Sequence, residues 1–246
     1  MGAEQIIETI WKKYEEPSLR ITIKATAKNN EEVLMNEYET LHSKLIVEWA
    51  TKLFGDQDAV RIAAAAHDWD RAFPDIRVPF ESSPEKYWDY KIAHAINSAN
   101  IFYDNFKESI NPQLMKDITY LIKRHEIGGR KNSDRKLLFT PDSYSNSYNI
   151  EDAAEKIQMA DSISGFIAFL DKGPAIEARG DKYGLKKIGF YYGRAMPEAR
   201  EIIDSQKITN PLLNRLFKEY KQKQSEITQD IDYQSIEDKF NKLDKK

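Results

Sequence analysis

The strongest constraint on this chain is a hydrophobic stripe of helical period, repeated along its length with no convincing alternation of strand period. Leu34, Tyr38, Leu41, Leu45, Trp49 and Leu53 recur at three or four residues, which places them on one face of an α-helix. Ile6, Ile7, Ile10, Trp11 and Tyr14 make a shorter stripe, stopped before Pro17. Asn30 with Glu31 and Glu32 reads as the cap and first turn of the long helix, and Gly55 as its stop. Asp56 then stands as the cap of a helix whose core is Val60–Ala66, a run of small residues that lets another helix approach closely. Three prolines between 72 and 84 mark a connection. A helix is expected after Pro84, with Trp88, Ile92, Ala95, Ile96, Ala99 and Phe102 on one face. Asn111-Pro112 is a cap followed by a first-turn proline, opening a helix through Leu114, Ile118, Leu121 and Ile122 to about Gly128-Gly129.

Residues 128–148 are mostly polar around Leu137–Phe139 and read as a long loop. A further helix is expected over Glu151–Leu170, ended by Gly173-Pro174, with shorter ones after Pro197 and after Asn210-Pro211. The charged C-terminus is expected at the surface or frayed, and Leu19–Ala25 is the one strand candidate. The fold class is therefore all-α. With no repeat and no long linker, residues 1–246 are expected to form a single helical domain.

Composition narrows the chemistry. The 246 residues include no cysteine, which excludes disulfides, thiolate ligands and thiol nucleophiles. A metal must be held by His, Asp, Glu or backbone oxygen. The segment Met1–Trp11 carries Glu4 and Glu8 ahead of its apolar positions, unlike a secretory signal. No apolar run approaches the ~20 residues of a membrane span, so a cytoplasmic protein without a membrane partner is expected. Acidic and basic residues are mixed and the net charge is −3, so no nucleic-acid polymer is expected as a partner.

The four histidines, His42, His67, His94 and His125, each fall in or at the end of an expected helix, on or beside an apolar face. A single histidine there is more often a hydrogen-bonded core residue than a ligand. Four such cases, with none spent elsewhere, point to a metal. Asp68 follows His67 directly after Ala63–Ala66, and an ionised carboxylate there is costly unless paired or bound to a cation. Asp161 lies in the apolar context Ile157–Ile163, where the plainer alternative is a capped or salt-bridged aspartate. From 42 to 67, 94, 125 and 161, each step is about one helix plus a connection, so each helix can supply one inward-facing ligand.

The ordered set His42, His67-Asp68, Asp161 resembles the H...HD...D signature of the HD superfamily of metal-dependent phosphohydrolases. Leu41-His42-Ser43 is similar to the first-histidine segment. His67–Arg71 is similar to the HD-x-x-K stretch, with arginine for lysine, and Lys156–Ile163 to the last ligand helix. His94 and His125 resemble the two additional histidines of binuclear members. Glu126-Ile127-Gly128-Gly129-Arg130 lacks the GYP triplet and the second adjacent histidine of HD-GYP phosphodiesterases, so the resemblance does not extend to cyclic-dinucleotide cleavage. It covers about residues 35–170 and implies an HD-type helical core over about 30–172, with a helical extension over 173–246.

The resemblance implies that His42, His67, Asp68 and Asp161 hold one metal ion, and that His94 and His125 complete a second with Asp68 bridging. Imidazole with carboxylate suits Mn, Fe, Co, Ni or Zn, with Mg also possible. The implied reaction is hydrolysis of a phosphate ester or anhydride in a nucleotide or other small phosphorylated metabolite. Asp68 would orient or deprotonate water and Arg71 would bind a phosphate oxygen. An arginine keeps the charge of the family's lysine but does not readily shed a proton. Arg124 and Arg130 are further phosphate candidates, with plain surface charge as their alternative. Glu126 is a candidate outer partner or general acid. Trp69, Phe73, Tyr87 and Trp88 could stack on a base, although aromatics at helical spacing are more often core. The alternatives are a di-iron oxygenase on the same ligands and a non-catalytic nucleotide-sensing module.

Overall fold

The computed structural model describes residues 1–16, 22–24, 32–79, 86–128, 148–172, 175–223 and 233–244. Apart from one short two-stranded ribbon, the regular elements among them are helical. They group into two compact units. One comprises Met1–Lys13, Ala50–Gln158 and Ile231–Lys246, the other Tyr14–Trp49 and Met159–Asp230.

In the first unit, α1 (Ala3–Tyr14) buries Ile6, Ile7 and Ile10, as its stripe requires. Helix α3 (Asp58–Ala66) is buried along Ala59, Val60 and Ile62–Ala66, and it packs against α5 (Pro112–Arg124). Without long side chains in the way, the two backbones come close. The expected cap, Asp56, does not cap α3. Gln57 takes the capping position without a side-chain hydrogen bond, and Asp56 instead pairs with Arg61 at 3.1 Å. Helix α4 (Tyr87–Phe106) packs on α5 and on a 3-10 turn, Trp69–Ala72. The α5 cap is the one read from Asn111-Pro112. The Asn111 carboxamide oxygen accepts from the backbone N–H of Gln113 (2.9 Å) and Leu114 (3.4 Å).

The last element of this unit corrects an expectation. The described part of the C-terminal segment is neither frayed nor superficial: residues 233–243 form α11 (Tyr233–Leu243), which packs on α4 and buries Ile236, Glu237 and Phe240. Three contacts spaced along one helical face sufficed, and the surrounding charge hid them.

In the second unit, β1 (Thr22–Lys24) lies within the strand candidate and pairs antiparallel with β2 (Glu32–Leu34), Ile23 opposite Val33. The pairing shortens the long helix. Helix α2 (Met35–Phe54), which enters the first unit at Ala50, begins at Met35, so Glu32 and Leu34 belong to a strand and not to a first turn. Asn30 and Glu31 lie outside the described residues. Gly55 ends α2 at φ 99°, a backbone conformation that favours glycine.

Helix α6 (Ile150–Gly165), which begins in the first unit, does not run as α-helix to Leu170; it widens into a π-helical turn, Phe166–Asp171. Gly165 is why close packing is possible there: a Cβ would stand 2.2 Å from the Tyr191 ring. Tyr191 itself sits in a second π turn, Gly189–Gly193. The unit is completed by α7 (Ala175–Arg179), α8 (Asp181–Ile188), α9 (Pro197–Ser205) and α10 (Pro211–Lys223). Helix α8 packs on α7 and α10. The starts of α9 and α10 are those marked by Pro197 and Pro211. The polar loop expected over 128–148 falls largely outside the described residues, as do Gly173 and Pro174. No helix of the described residues is long and apolar enough to cross a membrane.

Candidate metal centre

Three helix features of the first unit bring ionisable groups together. The first is the end of α3. His67 follows Ala66 as the C-terminal cap, and Asp68 leaves the helix at φ −107°, ψ 22°, in the sparsely populated bridge region where active-site residues often sit. The Asp70 backbone N–H then donates to Ser98 Oγ (3.1 Å), which ties the 3-10 turn to α4. The second is a face of α4 on which Lys91, His94 and Ser98 recur at three and four residues, all buried. The third is the end of α5, where His125 and Glu126 follow Arg124. Each of Lys91, His94, His125, Glu126, Asp68 and Asp70 is buried.

Asp68 lies at the centre. Its Oδ1 is 2.5 Å from His94 Nε2 and 3.5 Å from His125 Nε2; its Oδ2 is 2.7 Å from Arg71 Nη1 and 3.4 Å from His67 Nε2. Glu126 Oε1 is 3.3 Å from His125 Nε2 and pairs with the Lys91 ammonium. Asp68, His94, His125 and Glu126 each offer a ligand atom within 4.8 Å of the others. Two imidazole nitrogens and two carboxylate oxygens at such separations are a donor set that fits a divalent cation.

The histidines are held so that Nε2 is the atom presented. Nδ1 of His67 lies 2.8 Å from the Ala64 carbonyl oxygen, and Nδ1 of His125 lies 2.8 Å from that of Ile122. A carbonyl only accepts, so in the neutral form of both rings the proton belongs on Nδ1 and Nε2 carries the lone pair. Nδ1 of His94 is 2.7 Å from Asp70 Oδ1. A carboxylate or carbonyl behind the ring is the support that metal-ligating histidines usually have. Nε2 of His125 is fully buried, and its two facing carboxylates are beyond a good hydrogen-bond length, which leaves it suited to a ligand role.

The electrostatics agree. Burial pushes the Asp68 carboxyl up, but Arg71, His67 and His94 outweigh it and hold the group well below the usual carboxylate range. Burial lowers His94, and Asp68 and Asp70 raise it further than burial lowers it. His125 is likewise depressed by burial but raised to about 10 by Asp68 and Glu126. Against its own desolvation, Glu126 is lowered by Lys91 and His125. A folded core gains little from such a cluster. An apolar side chain buried in place of each ion contributes ~1.5–3 kcal/mol, whereas each buried ion costs several kcal/mol before its partners offset it. Concentrations of perturbed, buried ionisable groups mark functional sites.

The other expected site residues fall as follows. In the second unit, His42 Nε2 stands 3.1 Å from Asp161 Oδ1, and His42 Nδ1 lies 3.2 Å from Ser164 Oγ. Of the four ligands expected for one ion, His67 and Asp68 belong to the first unit and His42 and Asp161 to the second. Arg71 is beside Asp68, with about a fifth of its side chain exposed. Arg124 is not a surface charge: it is fully buried and committed to Glu237. Arg130 lies outside the described residues. Trp69 is core, packed against Phe73, Phe102 and Phe106, and Trp88 packs against the apolar cluster around Ile92.

Asp70 and Lys91 gained no role from the sequence, although a signal was present. Lys91, His94 and Ser98 make a polar stripe at helical spacing beside the apolar one, which is unusual for a face that the neighbouring alanines mark as buried. In comparisons with known proteins, no family model, no curated protein and no solved structure matches the chain.

Proposed function

We propose that this protein is a metal-dependent phosphohydrolase of the HD type, acting on a nucleotide or other small phosphorylated metabolite. One observation carries the reading: Nε2 of His94 and Nε2 of His125 converge on the carboxylates of Asp68 and Glu126, with both rings fixed from behind. Asp68, His94, His125 and Glu126 would hold one ion. The sequence resemblance supports metal-ligand roles for His42, His67 and Asp161 as well. A bound divalent ion supplies Lewis acidity, lowering the pKa of a coordinated water and drawing charge from a phosphoryl oxygen.

The chain's own groups account for the rest. Asp68 faces His94 and His125 with one oxygen and His67 and Arg71 with the other, so it would help to hold an ion and could orient a water. Arg71 is the exposed edge of the cluster, and its guanidinium fork matches the nonbridging oxygens of a phosphate. Asp70 keeps the His94 proton on Nδ1. Lys91 neutralises Glu126, so the site tolerates an anionic substrate at close range.

The test is a panel of nucleotides and simple phosphate esters assayed with Mn, Co, Ni, Zn and Mg, on the wild type and on His125→Ala. Phosphate release by the wild type, lost together with metal uptake in the variant, is the expected result. Oxygen-dependent turnover without phosphate release would replace hydrolysis by the oxidative alternative. Nucleotide binding without turnover under every metal would leave a sensing module.

A further inference from the structure

We infer that the C-terminal helix α11 is a positioning element of the metal centre, acting through a buried clamp between Glu237 and Arg124. The inference rests on the metal-binding reading of the cluster. Arg124 is the last residue of α5, directly before His125 and Glu126. Its Nη1 donates to Glu237 Oε1 (2.5 Å), and its Nη2 donates to Glu237 Oε2 (3.0 Å) and to the Gly128 carbonyl oxygen (2.7 Å). Arg124 and Glu237 are each 1% exposed, and the Phe240 ring faces the guanidinium at 5.1 Å. A single side chain thus joins the end of α5, the turn after it and a helix 113 residues away in sequence.

The two candidate ligands lie inside that bracket. Residues 125–127 span from Arg124 to the carbonyl that its own guanidinium holds. Ile127 is pinned in an apolar cluster with Ile92, Ile236 and Phe240. On the other side, Gln158 Nε2 donates to the Glu126 carbonyl oxygen (3.0 Å). Gly128 closes the turn at φ 62°, and a Cβ there would meet Gln158 Oε1 at 2.9 Å. With the carbonyls of 126 and 128 both fixed, the backbone that carries His125 and Glu126 is held while their side chains face Asp68 and Lys91. Ligands must be held to within roughly half an ångström to define a site. A bidentate fork fixes orientation in a way that an apolar contact does not. Stability alone is a poor reason for the pair, since matched apolar residues commonly serve as well. The outward contacts of α11, Lys123 with Asp244 (2.6 Å) and Lys239 with Asp89 (3.0 Å), secure the helix but do not touch the turn.

The experiment titrates Co(II) into the full, metal-stripped chain and follows its visible absorption. It compares the wild type with Glu237→Gln and with the double variant Arg124→Met/Glu237→Met, which keeps the packing of Ile236 and Phe240 and buries no unpaired charge. Helix content is checked by circular dichroism, and the double variant decides if Glu237→Gln does not fold. The expected result is a folded double variant with Co(II) affinity at least ~10-fold weaker, as for other outer partners of ligands, and an altered spectrum. A folded double variant with wild-type affinity and spectrum overturns the positioning role and leaves the metal reading intact. A wild type that takes up no Co(II) contradicts the metal reading and the clamp with it.

Discussion

At the residue scale, Asp68 and Arg71 divide the work. Asp68 is surrounded by four basic groups, whereas Arg71 touches Asp68 and reaches solvent. Arg71→Met is therefore expected to leave metal content unchanged and to lower kcat/KM by about 100-fold, the scale seen when one donor to a developing oxyanion is removed. Metal analysis beside steady-state kinetics checks it, and a parallel loss of metal would contradict it. The buried histidines give a second expectation. His125 holds its proton up to about 10 in the metal-free protein, and His94 is raised as well. A metal must displace those protons, so affinity should climb with pH across the neutral range, with proton release measurable by calorimetry in buffers of different ionisation enthalpy. For the metal-free fold the signs oppose. The raised His125 stabilises the fold fully below the ordinary imidazole value of ~6.5, and that contribution fades as pH rises through about 10. The depressed Asp68 stabilises it above the ordinary carboxylate value of ~3.9, and that contribution fades as pH falls through its lowered one.

At the element scale, local chemistry was legible wherever a helix carried its own punctuation. Asn111-Pro112, Gly55, Pro197 and Pro211 mark ends that the fold respects. It was illegible where a distant segment decided. The pairing of Thr22–Lys24 with Glu32–Leu34 takes three residues from the expected start of α2. The aromatic packing at Gly165 accompanies the change of α6 from an α- to a π-helical turn. The candidate metal-site histidines were readable because histidine is scarce in this chain. Glu237 was not, since one glutamate in a charged tail looks like any other. The Gly165 packing is testable. Gly165→Ala puts a methyl into the Tyr191 ring and is expected to destabilise by ~1–3 kcal/mol, the usual cost of overpacking. A denaturation midpoint unchanged from the wild type would show that the ring moves aside freely.

At the scale of the whole molecule, buried ionisable side chains of the described residues gather in one place. Eight ionisable side chains, His67, Asp68, Asp70, Arg71, Lys91, His94, His125 and Glu126, meet where α3, α4 and α5 end or cross. A divalent ion there would bind the folded chain and not the unfolded one, which stabilises it by ~2.7 kcal/mol at a hundredfold excess over Kd. Helix α11 packs on α4 and reaches the end of α5 through the Arg124–Glu237 pair. The most direct test of this account follows phosphate release by the metal-stripped protein as Mn(II) is added back, with bound ion counted at each point. The expected result is no turnover without metal and activity that rises with the first one or two ions bound per chain. Undiminished turnover by the stripped protein, or saturating uptake without turnover on any phosphate ester, would contradict it.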